Sequence, residues 1–137
     1  MSTYGIDTTL QLDFAETVQA TRVALAEQGF GVLTEIDVAA TMKTKLDVEM
    51  PPYLILGACN PRLAHQAIGV DPSIGLLLPC NVVVRSIDDT HTLVEAMNPD
   101  IMVSATGNPG IAPVAEQART RLAAALHALS DPSSGRS

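Results

Sequence analysis

A chain of 137 residues with a hydrophobic fraction of 47% can bury a core of its own without disulfide or metal staples. Its net charge of −7 and its few aromatic residues, Tyr4, Phe14, Phe30 and Tyr53, argue against a nucleic-acid partner, which needs a basic footprint and stacking platforms. No stretch approaches the roughly 20 apolar residues of a membrane span, and Ser2-Thr3-Tyr4-Gly5 opens no signal peptide, so the expectation is a cytoplasmic protein, off the membrane, with its two cysteines as thiols.

Residues 4–12 alternate loosely and predict a first strand. Asp13, with Glu16 three residues on, is a capping-box signal, and Phe14, Val18 and Leu25 then share one helical face. Gly29 is placed to end that helix in the left-handed conformation. Residues 30–36 predict a second strand with Val32, Thr34 and Ile36 on one face. Gly29-Phe30-Gly31 is a fragment of a dinucleotide fingerprint, but it lies between helix and strand instead of strand and helix, and fails on that context. Asp37 caps a shorter helix carrying Val38, Met42 and Leu46, with Lys43 and Lys45 near the C-terminal end, where cations suit the dipole.

Met50-Pro51-Pro52 stops that helix, and residues 53–58, apolar on both faces, predict a central third strand. Asn60-Pro61 is an N-cap followed by a first-turn proline, opening a helix to about Ile68. Asp71-Pro72 repeats the signal for one short turn before Gly75, and Leu76-Leu77-Leu78-Pro79 reads as an extended approach to a fourth strand over 81–87. Asp88-Asp89-Thr90 predicts a hairpin turn into a fifth strand over 91–97. Asn98-Pro99 opens a further helical turn, and Asn108-Pro109-Gly110 leads into the last helix, 111–129. Its apolar face is Ile111, Val114, Ala118, Leu122, Leu126 and Leu129. Residues 131–137 have the composition of a disordered tail, leaving 1–130 as one domain. Hairpins with segregated helices predict an α+β class: an antiparallel five-stranded sheet in β-α-β(4)-α order, short helices inserted and the long C-terminal helix on one face.

Both cysteines precede asparagine, in Ala58-Cys59-Asn60-Pro61 and Pro79-Cys80-Asn81. Cys59 ends a buried strand beside a helix start, whose positive end favours a thiolate. Cys80 follows Pro79, whose ring holds the approach stiff. Packing competes for both, since free cysteine behaves as a small buried apolar residue. Asn60 has a local role as helix cap, whereas Asn81 has none. Antiparallel third and fourth strands would bring the end of one beside the start of the other, gathering Cys59, Asn60, Cys80 and Asn81 into a candidate thiol site. His65, His91 and His127 have no ligand partner at finger-like spacing, so no metal is expected. A redox CxxC and a GxSxG elbow are absent. Asp88 and Asp89 serve a turn, and Met42, Met50, Met97 and Met102 serve the core. No cofactor or reaction is assigned by these residues.

The pair Gly-Ala-Cys-Asn-Pro at 57–61 and Leu-Leu-Pro-Cys-Asn at 77–81 resembles the signature of a widespread prokaryotic domain of unknown function. The resemblance spans nearly the whole chain. It implies a TATA-binding-protein-like sheet and a homodimer, and it is silent on mechanism. Two functional readings follow. In the first, a two-cysteine site binds or reacts with a small molecule, a sulfur species or a metal. In the alternative, the chain is a non-catalytic dimeric module for ligand binding or interaction, and its cysteines are structural. The separation and exposure of the two sulfurs discriminate between them.

Overall fold

Along β3 (Tyr53–Cys59), β4 (Cys80–Ser86) and β5 (Thr92–Met97), alternate residues are buried: Leu54, Leu56 and Ala58, then Cys80, Val82 and Val84, then Thr92, Val94 and Ala96. A period of two places one face of a sheet in the core. In the computed structural model, which describes residues 4–130, these strands join β1 (Gly5–Leu10) and β2 (Gly31–Asp37) in one antiparallel sheet of order β1-β5-β4-β3-β2. The predicted tail at 131–137 lies outside the described residues. β1 and β2 are consecutive in the chain but occupy opposite edges, so the helix between them crosses the sheet.

That helix, α1 (Phe14–Glu27), starts where Asp13 accepts the Glu16 amide at 2.8 Å. Its buried face is broader than Phe14, Val18 and Leu25 suggest, because Thr17 and Thr21 are fully enclosed. Their hydroxyls donate to the carbonyls of Asp13 and Thr17 at 2.8 and 2.7 Å, which removes the cost of burying them. α5 (Ala112–Ser130) lies beside α1, and all six residues of its predicted apolar face, counting Ile111 just before it, are buried. Leu122, Ala125, Leu126 and Leu129 join Leu25 of α1 and the inner sheet face in one core. Burying each of these leucines contributes about 1.5–3 kcal/mol.

The first half of α5 serves a second core. There Val114, Ala115 and Ala118 meet Leu63 and Ala67 of α3 (Pro61–Val70), Met102 of α4 (Asp100–Thr106), Ile74 and Ile111. Two local expectations change. Leu76 and Leu77 do not extend towards β4 but end a 3-10 turn, Pro72–Leu77. Asp71 caps it through the Ser73 amide, and fully buried Ile74 anchors it. α2 (Val38–Leu46) forms on its Asp37 cap as predicted, yet none of its residues is buried. It joins the edge strand β2 to β3 and lies outside both cores, so its Val38-Met42-Leu46 face is covered only in part: Val38 and Met42 are half-buried and Leu46 is exposed.

Candidate thiol site

Pairing of β3 with β4 sets Ala58 opposite Cys80, and pairing of β2 with β3 sets Gly31 opposite Cys59. The two cysteines therefore stand at the same end of the sheet. Immediately beyond Cys59, the Asn60 Oδ1 accepts the Leu63 amide at 3.2 Å and caps α3, with Pro61 in the first turn, where its missing N–H leaves nothing unpaired. Gly29, at φ +85, ends α1 against the same side chain; a Cβ there would lie 3.0 Å from Asn60 Nδ2. Arg121 reaches from α5 to the Gln28 carbonyl at 3.3 Å and ties a third element to this corner.

Cys59, Asn60 and Cys80 line one cavity with Phe30, Leu63, Ala67, Met102, Val114 and Ala118. It lies where the two cores meet. Its free volume is about 20 Å³, room for one group the size of a water molecule. Asn81 is not part of it. Asn81 pairs with Gly57 and is exposed on the other face of the sheet, as alternation after the buried Cys80 requires. Gly57 itself must lack a side chain, because a Cβ would overlap Thr34 Oγ1 and come within 2.9 Å of Pro79 Cγ. The bare backbone at Gly57 thus lets Pro79 close over β3 just before Cys80.

Both thiols are free, but their surroundings differ. Cys59 is half-buried. Cys80 is 6% exposed, and among the described residues its sulfur has no hydrogen-bond partner. Burial, and secondarily the negative charge of a Cys59 thiolate, push the Cys80 thiol up to about 11. At neutral pH it is an S–H group. Among the described residues no three His, Cys, Asp or Glu side chains gather to hold a metal ion. His65 and His127 are exposed, and His91 turns its Nδ1 to Asp88 at 3.0 Å in the β4–β5 turn. The cavity walls are what sequence reasoning missed. Leu63 and Ala67 stand four apart on α3, and Val114 and Ala118 four apart on α5, so the helical period was the available signal.

No helix among the described residues is long and apolar enough to cross a membrane. The family model described as "Domain of unknown function DUF302" matches residues 6–129. The chain is also similar to a solved structure, the uncharacterized conserved protein DUF302 from Bacillus stearothermophilus, at 27% identity and a TM-score of 0.84. That match covers 92% of this chain and 98% of the other. No curated protein matches.

Proposed function

The chain belongs to the DUF302 family, a domain of unknown function, and from that premise we propose a function read from its own side chains: a small cytoplasmic thiol protein in which Cys59 is the reactive group. One observation carries this reading. A half-buried and a buried thiol line a single apolar cavity beside the start of α3. A thiolate is the nucleophilic form of cysteine, and the first-turn amides of a helix favour negative charge near them. Cys80, held protonated by burial, is a poor nucleophile at neutral pH, so the reactivity belongs to Cys59 and Cys80 supplies part of the wall. Free thiols also suit a reducing compartment.

The test compares alkylation by iodoacetamide at pH 7.5 in two single-cysteine variants. Cys59, in the Cys80→Ala protein, is expected to react at least tenfold faster than Cys80 in the Cys59→Ala protein. Equal rates, or a faster Cys80, would remove the reading.

A second reading has its own support. Leu33 is 68% and Leu46 65% exposed on the β2–α2 arm, beside Ile36 and Val48. Apolar surface of this kind suits a protein partner, and a homodimer is the simplest one. The β-α-β(4)-α order likewise supports a TATA-binding-protein-like sheet. Dimerisation and a thiol site are compatible, because the arm and the cavity are different places.

A further inference from the structure

The cavity beside Cys59 is too small for a metabolite and large enough for an atom. We infer that Cys59 takes up a single sulfane sulfur as a persulfide, with the added sulfur housed in the apolar cavity it shares with Cys80. The inference rests on Cys59 being the reactive thiol and adds the substrate class.

Three observations support it. First, about 20 Å³ of free space admits one water-sized group, so any longer adduct on Cys59 must project to solvent. Second, the walls are Phe30, Leu63, Met102 and Val114 together with small alanines. Asn60 is the one polar side chain there besides the thiols; its oxygen holds the Leu63 amide and its nitrogen stands against Gly29. An added oxygen, as in a sulfenic acid, would be poorly satisfied in such a lining, whereas sulfur is soft and needs little hydrogen bonding. Third, Cys80 presents to the same cavity a nine-tenths buried thiol that has no hydrogen-bond partner among the described residues. It can donate a weak S–H hydrogen bond to the sulfur of a persulfide on Cys59. Its raised pKa also keeps it from attacking the Cys59 sulfur, a step that would form a disulfide and expel HS⁻.

The uptake step balances with a low-molecular-weight persulfide or polysulfide as donor. The Cys59 thiolate attacks the outer sulfur of R–S–SH, the S–S bond of the donor breaks, and R–S⁻ departs with the electron pair. The proton stays on the transferred sulfur, giving Cys59–S–SH, and no further oxidant is needed.

The experiment treats the protein with inorganic tetrasulfide, desalts it and weighs it intact. One addition of about 32 Da per chain is expected, reversed by a reductant and absent from Cys59→Ser. A ladder of additions of about 64 Da and more would overturn the inference, because the cavity admits one atom. Ala67→Val and Ala64→Met narrow the cavity from separate positions on α3, and half-buried Ala64 keeps the test open if the Ala67 variant does not fold. In folded variants, persulfide loading should fall at least tenfold while iodoacetamide alkylation of Cys59 changes less than twofold. Undiminished loading in both overturns the housing of the sulfur. If the wild type takes up no sulfur while Cys59 still alkylates faster than Cys80, the substrate class fails and the reactive-thiol reading stands. If Cys59 alkylates no faster than Cys80, that reading fails and takes this one with it.

Discussion

Asn60 does two jobs with one side chain. Its oxygen caps α3 and its nitrogen fills the space left by Gly29. Asn60→Ala should therefore destabilise the protein by about 1 kcal/mol, the usual worth of an N-cap, measured by urea unfolding. Cys80 gives a pH signature of its own. Its folded pKa of about 11 stands above the reference value of 9.0, so the stability it contributes is complete below pH 9 and is lost as pH rises through 11. Melting temperature should fall across that window in the wild type and less in Cys80→Ala. Asp88 shifts the opposite way. The Thr90 amide first, then the His91 side chain, hold its carboxyl near 2, below the reference 3.8. Its turn hydrogen bonds are therefore intact above pH 4 and disappear as pH falls through about 2, which a carboxyl NMR titration of Asp88 would show.

At the scale of elements, the long helix and the central strand carry the most. Leu122 on α5 is fully enclosed, so Leu122→Ala should cost about 2–5 kcal/mol in chemical denaturation. Gly57→Ala on β3 adds a methyl group where Thr34 and Pro79 already sit, and overpacking of that kind costs about 1–3 kcal/mol. The same elements show which structure the residues announce. Asp13, Asp37, Asn60 and Asp71 were legible as caps, and each accepts a backbone amide of the turn it opens, because capping is settled within four residues. The face of α5 was legible because its period runs unbroken. Thr17 and Thr21 were not, since a polar residue conceals a buried position whose hydroxyl is satisfied inside the helix. Pairing of Ala58 with Cys80 agrees with antiparallel third and fourth strands, which the expected sheet implied; the turn between β4 and β5 bears only on those two strands. The helical period marks the wall faces of α3 and α5, but their convergence with α4 on one cavity was not legible, because the three lie far apart in the chain. Asn81 shares the Cys-Asn motif with Cys80, but neighbouring residues of a strand point to opposite faces, which puts it outside the cavity.

For the whole molecule, the exposed β2–α2 arm raises the question of assembly. A homodimer is expected, and light scattering at micromolar concentration should return twice the mass of the chain. If the arm forms the interface, Leu33→Asp and Leu46→Asp should each shift that mass towards the monomer, whereas the same change at Val23, exposed on α1, should not. The sheet order has a further consequence, which concerns how the protein is made. β1 is made before the other four strands of this sheet, yet among the described residues its one neighbour is β5, and Leu10 must wait for Thr92. α5, which covers the inner face, is later still. A growing chain can zip β2, β3 and β4 as they emerge, but it can neither complete this sheet nor roof it until β5 and α5 have been made. Pairing over so long a separation is slow because the intervening loop must be closed first. In pulse-labelled refolding, the β1–β5 amides should be the last in the sheet to become protected.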